Sequence, residues 1–435
     1  MEVSVIGAGL AGSECAWQLA QRGIQVKLYE MKPEKRTPAH HTDAFAELCC
    51  SNSLRGAGLE NAVGLLKEEL RQLGSLILSC ADATRVEAGG ALAVDRHGFA
   101  NLVTERIRSH PNITVIPGEV TAIPEGEVVV ASGPLTSDAL AETLETLLGE
   151  GCGLHFYDAA APLVSAASVD MESAWFGSRY DKGTADYVNC PMTEEEYTAF
   201  WEALTTAQEA EVHGFEDSQV FEGCMPVEVM ARRGRDTLRY GPLKPRGLKD
   251  PKTGREPYAV VQLRRDNAQG SIYNLVGFQT HLRFPEQKRV FSMIPALRDA
   301  EYLRYGVMHR NTFLDSPRYL NRYYQLKSEP RIVFAGQMTG VEGYVESAAS
   351  GFLAGIELAR RLRGMAPVDF PQETAIGALG LYVSNESIGN FQPMNVNFGI
   401  IPPLDHRVKG KRNKNAELSA RSLAIIEARK EDILQ

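Results

Sequence analysis

The stretch Val3-Ser4-Val5-Ile6-Gly7-Ala8-Gly9-Leu10-Ala11-Gly12 decides the fold, together with the helix-like Ser13 to Arg22 and the run Gln25-Val26-Lys27-Leu28-Tyr29-Glu30. Val3 to Ile6 has the apolar texture of a buried strand. A glycine-rich turn follows at once, and Ala16, Leu19 and Ala20 then share one face of a helix that Gly23 closes. The second apolar run ends on an acid, Glu30. This order of strand, turn, helix, strand and distal acid is the dinucleotide-binding fingerprint. Gly7 permits the tight turn, Gly9 lets backbone approach a pyrophosphate, and Gly12 lets helix and strand pack closely. The backbone of Gly7, Ala8, Gly9, Leu10, Ala11 and Gly12 would cradle the phosphates at a helix N-terminus. Glu30 would accept hydrogen bonds from the adenosine ribose.

Outward from this unit, strands and helices alternate. Asn61 to Leu73 carries Leu65, Leu66, Leu70 and Leu73 at helical spacing. Gly89 to Arg96 reads as a turn leading into a helix over Phe99 to Ile107. Ile113 to Ile116 and Glu127 to Ala131 read as strands, and Leu135 to Leu148 as a helix. The alternation predicts an α/β fold, a doubly wound parallel sheet of the Rossmann-like, dinucleotide-binding kind. From about Phe156 the texture changes. Pro162 to Val169 and Ala185 to Cys190 alternate without helical crossovers, Thr193 caps a helix, and Tyr258 to Leu263 with Ser271 to Gln279 suggests an antiparallel hairpin. Arg331 to Gly336 then returns to parallel-strand texture, and Tyr344 to Leu362 reads as a helix. The expected organisation is therefore an FAD-binding domain over 1–155, a smaller α+β insertion over 156–325, and the completion of the first domain over 326–435 with a C-terminal basic tail.

Three separated features agree on one cofactor. The first is the fingerprint. The second is Val128-Val129-Val130-Ala131-Ser132-Gly133-Pro134, a strand ending in small residues. The third is Val333-Phe334-Ala335-Gly336-Gln337 followed by Gly340-Val341-Glu342-Gly343-Tyr344, which sets a helix N-terminus behind a glycine-rich turn. Such a dipole end favours negative charge on a reduced flavin. FAD fits all three, with Gly133, Gly336, Gln337 and Tyr344 as further cofactor-binding candidates.

Composition narrows the field. The 435 residues are 44% hydrophobic and 23% charged, as expected of a globular chain of two or three domains. The reading is a cytoplasmic protein: no apolar stretch suits a membrane span and no signal peptide is apparent. The seven cysteines (15, 49, 50, 80, 152, 190 and 224) lack metal or redox spacing, which points to free thiols. No HExxH, P-loop or carboxylate motif suggests a metal. A net charge of −9 argues against coating nucleic acid broadly but leaves room for local basic patches. Candidates are Arg232-Arg233-Gly234-Arg235, Lys244 to Lys249, Arg264-Arg265 and Arg407 to Lys414.

Several uncommon segments occur in fixed order: Thr37-Pro38-Ala39-His40, Cys50-Ser51-Asn52-Ser53-Leu54, Pro191-Met192-Thr193-Glu194-Glu195-Glu196, Tyr305-Gly306-Val307-Met308-His309-Arg310-Asn311-Thr312 and Phe391-Gln392-Pro393-Met394-Asn395. With the fingerprint and Gly340 to Tyr344, they make the chain resemble the bacterial folate- and FAD-dependent tRNA (uracil-5-)-methyltransferases over nearly its whole length. The resemblance implies methylation of C5 of a T-loop uridine in tRNA. It implies 5,10-methylenetetrahydrofolate as carbon donor and FAD, reduced by NADH or NADPH, as source of electrons. It also implies two functional cysteines, Cys224 as nucleophile and Cys50 as its partner base. His40, His41, Asn52, His309, Arg310 and Asn311 are polar candidates near folate or flavin. Two other readings stay open: an FAD-dependent modifier of wobble uridines, whose chains are longer, and a flavin-bound RNA scaffold without turnover. No membrane and no stable protein partner is expected.

Overall fold

The computed structural model describes residues 1–37, 39–149, 153–181, 184–210, 225–389 and 391–435, with side chains for all of these but 153–159, 181 and 308–312. Five parallel strands form the central sheet, in the spatial order Ile332–Phe334, Glu127–Val130, Glu2–Ile6, Gln25–Glu30, Ile113–Pro117. Val3 and Val5 are fully buried at its centre, as expected of a strand covered on both faces. The chain leaves the Glu2–Ile6 strand toward one side of the sheet and later fills the other. The crevice at that switch point is where such sheets bind ligands.

Two helices meet above the crevice. Leu10–Gln21 and Tyr344–Leu362 pack so closely that a Cβ added at Gly351 would lie 2.2 Å from the Ala11 carbonyl oxygen. The small residues after Gly340 thus serve helix contact. Each helix follows a parallel strand through a glycine-rich turn, and the N-termini of both line the same cavity.

The second sheet has six strands in the order Trp175–Gly177, Tyr187–Met192, Ala259–Arg265, Ile272–Leu275, Leu163–Ser165, Tyr302–Arg304, all antiparallel. The hairpin expected around Arg264 to Gly270 is present. One face of Ala259–Arg265 sends Val261 and Leu263 into an apolar core with Tyr197, Phe200 and Leu204 of the Glu194–Thr205 helix. That helix starts in a capping box between Thr193 and Glu196. The opposite face is polar yet buried: Gln262, Arg264, Asn189 and Asn274. A two-stranded ribbon, Gly153–Ala159 with Met308–Leu314, connects the two sheets.

At three places the structure corrects or adds to the sequence reading. Ala91–Val94, which reads as part of a turn, is a strand that pairs with Ser53–Gly56 and Arg85–Val86. Leu76–Ala83, unassigned from sequence, is a helix capped by Ser75, whose Oγ accepts from Leu78 N–H at 3.2 Å. The basic tail is in large part the helix Lys411–Leu434, docked on Ala62–Gln72 through Leu418 and Ile426 and by Ser422 Oγ donating to Glu69.

Candidate active site

The crevice opens into two adjoining cavities of about 90 Å³ and 410 Å³ that share Gly9, His40, Glu47, Ser132 and Leu135. The smaller lies against Gly7, Ala8, Tyr29 and Glu30. The larger runs past Leu10, Ala11 and Gly133 to Gly336, Gln337 and Tyr344, and ends at Cys50. Together they suit an extended dinucleotide with room for substrate at the far end.

The fingerprint glycines divide their labour. A Cβ on Gly12 would sit 1.8 Å from the Gly7 carbonyl oxygen, so Gly12 is held by packing. A Cβ on Gly9 would meet no protein atom within 4 Å and would project into open space. Helix geometry leaves the N–H groups of Leu10, Ala11 and Gly12 without intrahelical partners. A bare cradle backed by such N–H groups fits a pyrophosphate. Glu30 braces the turn: it accepts from Ala8 N–H at 2.9 Å and Lys32 N–H at 3.1 Å, and it lines the smaller cavity. Gln337 donates to Glu342 at 2.6 Å on the wall of the larger one.

At the far end, Cys50 Sγ lies 3.1 Å from Tyr344 Oη. Cys50 N–H and Ser51 N–H both donate to that same oxygen, at 3.0 and 3.3 Å. Burial, with Cys50 and Cys49 adding to it, pushes the Tyr344 phenol well above its usual range, so it keeps its proton. Burial also pushes the neighbouring Cys49 thiol up to about 12. Cys15, Cys80 and Cys190 are buried, and burial raises each thiol.

The opposite wall comes from the second sheet: Arg264, Asn274, Val276 and Gln279. The expectation that Arg264 belongs to a phosphate-binding cluster is corrected here. It is 7% exposed, donating from Nη2 to Ser51 Oγ at 2.7 Å and from Nε to Asn52 Oδ1 at 3.2 Å. Asn52 in turn donates to the carbonyls of Val94 and Arg265, each at 2.9 Å. A buried bidentate pair, Arg96 with Asp266 at 2.9 and 2.8 Å, clamps the same junction. Neither Asn274 nor Arg96 stands out in the sequence, because nothing local marks a residue whose place at the site depends on a partner far along the chain.

His40 lines both cavities, its Nδ1 2.7 Å from Thr37 Oγ1. His309, Arg310 and Asn311 lie on the connecting ribbon opposite Asp158, Tyr157 and Phe156, with side chains outside the described set. Cys224 and Cys152 lie outside the described residues altogether. Val227, just beyond Cys224, donates its N–H to the carbonyl of Gln279 at 2.7 Å, and Gln279 lines the larger cavity. Among the described residues no acidic, histidine or cysteine cluster suits a metal, and no helix is long and apolar enough to cross a membrane.

The basic clusters differ in availability. Arg232 pairs with Glu209, and Arg235 with Glu194 at 3.2 Å. Arg407, Lys409, Lys411 and Lys414 are exposed and make no ion pair among the described residues, while Arg412 lies 3.8 Å from Glu60.

A family model described as glucose inhibited division protein A matches residues 2–366. The chain is 59% identical to the methylenetetrahydrofolate–tRNA-(uracil-5-)-methyltransferase TrmFO of Anoxybacillus flavithermus, covering 98% of this chain and 99% of that one. It is 61% identical to the protein of the same name from Acetivibrio thermocellus, covering 98% and 97%. Among solved structures, GidA of Aquifex aeolicus matches with a TM-score of 0.72 at 15% identity, over 100% of this chain and 74% of that one, a likeness of fold.

Proposed function

The chain belongs to the methylenetetrahydrofolate–tRNA-(uracil-5-)-methyltransferase family, within the wider glucose inhibited division protein A family, and from that membership we propose how its residues share the work. It is an FAD-containing enzyme that methylates C5 of a uridine in tRNA with methylenetetrahydrofolate as carbon donor. The wobble-uridine and scaffold readings are not favoured by relatives that match along 98% of the chain. The finer reading is a T-loop uridine, NADH or NADPH as reductant, and a cytoplasmic setting.

The observation that carries the reading is the groove itself, which runs from Glu30 past Gly9 to the Cys50–Tyr344 contact. Gly7, Ala8, Gly9, Leu10, Ala11 and Gly12 would hold the pyrophosphate of FAD and Glu30 its ribose, with Gly133, Gly336, Gln337 and Tyr344 as the further residues that would hold it. When bound, FAD supplies the electrons that bring the transferred carbon to the methyl level.

Uracil C5 is a poor nucleophile. In our assignment the Cys224 thiolate forms a bond to C6, and the C5=C6 electron pair becomes an enolate on O4. C5 then bonds to the methylene carbon of methylenetetrahydrofolate as one of its two C–N bonds breaks. The Cys50 thiolate takes the proton from C5 as the remaining C–N bond breaks and tetrahydrofolate leaves, and the Cys224–C6 bond breaks as the hydride equivalent that reduced FAD would supply completes the methyl group. Tyr344 holds Cys50 ready for this step, because its oxygen already accepts two N–H groups and its own proton is left to point at Sγ. Nucleoside analysis of tRNA from cells lacking the protein tests the activity. Ribothymidine should vanish; its persistence, with loss of a wobble modification, would overturn the assignment.

A further inference from the structure

One polar group on the cavity wall has no partner among the described residues. Asn274 is 2% exposed, lines the larger cavity, and its Nδ2 makes no hydrogen bond there. A buried donor left unmade is costly, so the site is built for an acceptor that arrives with a ligand. Asn274 is the direct cross-strand neighbour of Arg264, and both stand on the polar face of the second sheet. The Arg264 guanidinium grips Ser51, the residue after Cys50. The two side chains therefore face the thiol end of the cavity from across the domain junction.

We infer that Asn274, with Arg264 beside it, reads the N3–H and C4=O edge of the target uracil and so selects uridine over cytidine. The inference deepens the assignment of the cavity to tRNA methylation and rests on it. An asparagine amide offers one donor and one acceptor side by side. Nδ2–H meets O4 and Oδ1 meets N3–H. Cytosine presents the inverse pair, an amino donor at C4 and an acceptor at N3, and leaves both amide atoms mismatched. The pterin of the folate carries the same N–H and C=O edge. Uracil is favoured because C4 adjoins C5, and C5 must face Cys50. Arg264 places a positive charge on that wall, where O4 gains negative charge once C6 is attacked.

The test uses the flavin-loaded full-length enzyme and T-loop minihelices with uridine or cytidine at the target, the cytidine form as competitor. The parent should methylate the uridine form and be inhibited far less well by the cytidine form. Asn274→Ala should keep its FAD and its KM for methylenetetrahydrofolate. It should lose about tenfold or more in discrimination between the two RNAs. Asn274→Asp, of the same shape, should shift preference toward the cytidine form, which donates where uridine accepts. Discrimination that survives both substitutions overturns the proposal, as does a KM rise confined to the folate, which would assign the amide to the pterin. A parent enzyme that leaves the uridine minihelix unmethylated overturns the underlying activity and the proposal with it.

Discussion

Cys50 Sγ and Tyr344 Oη stand 3.1 Å apart, though 294 positions separate them in the chain. The contact joins the loop after the first sheet strands to the first residue of the Tyr344–Leu362 helix. It forms because that helix packs on Leu10–Gln21 and carries its N-terminus to the crevice. A neutral phenol donating to sulfur favours thiolate over thiol. Tyr344→Phe keeps the ring and removes the donor. A hydrogen bond to a charged group is worth about 1.5–3 kcal/mol, so the substitution should cost Cys50 about tenfold or more in thiolate reactivity. Alkylation of Cys50 by iodoacetamide and kcat/KM should both slow accordingly. If neither rate moves, Tyr344 only fills space.

The two fingerprint glycines predict opposite failures. Gly9→Val adds its side chain to open space in the cavity, so the protein should fold with near-parental thermal stability and emerge without flavin. Gly12→Ala drives a methyl group into the Gly7 carbonyl and should destabilise by about 3 kcal/mol. The absorbance ratio of flavin to protein, read beside the melting temperature, separates the two. A yellow Gly9→Val protein would remove the pyrophosphate from this turn.

Much of the architecture is legible in sequence, for a physical reason that also sets the limit. The parallel strands and the helices from Ala62 and Tyr344 declare themselves through local periodicity and glycine placement. Ala91–Val94 does not, because four residues carry too little pattern and its pairing partner lies at Ser53–Gly56. The Lys411–Leu434 helix hides because its long polar surface masks the few residues, Leu418, Ile426 and Ile433, that dock it. At the site, the sequence points to Cys50 and Tyr344 separately, but their contact depends on tertiary packing. Arg264 looks like a surface cation beside Arg265. Only strand alternation in the folded sheet turns one inward and leaves the other to pair with Glu87.

His281 links stability to pH. Burial opposes its charge, but Glu209 and Glu228 on either side outweigh it and push it up to about 9. A histidine raised in the folded state contributes stability that is fully present below its unfolded value near 6.5 and is lost as pH rises through about 9. The parent melting temperature should therefore fall across that window. His281→Gln should be less stable at pH 6 and should lose most of the slope. An identical slope in the variant would assign the pH dependence to other groups.

Salt should weaken tRNA binding steeply despite the net charge of −9. Lys409, Lys411 and Lys414 are exposed and make no ion pair among the described residues, whereas Arg232 and Arg235 already hold carboxylates. Converting the three lysines to glutamine should reduce the slope of log K against log salt by about two to three units, close to one for each phosphate they would otherwise neutralise. Converting Arg232 and Arg235 should reduce it less. Equal slopes in the parent and the lysine variant would place the RNA on another surface.

The two thiols assigned above give the sharpest separation. In that assignment Cys224 attacks C6 and Cys50 takes the proton from C5. Cys224→Ala should abolish methylation and keep full FAD. A minihelix with 5-fluorouridine at the target should trap a covalent complex in the parent enzyme, because fluorine cannot leave C5 as a proton does. Cys50→Ala should also stop turnover yet still form that adduct, since it lacks only the base. Cys50 borders the cavity and holds Tyr344, so this variant should also bind FAD less tightly, whereas Cys224→Ala should not. Cys15→Ala and Cys80→Ala remove buried thiols that line neither cavity and should cost only stability. Trapping that disappears in Cys50→Ala and survives in Cys224→Ala would exchange the two roles.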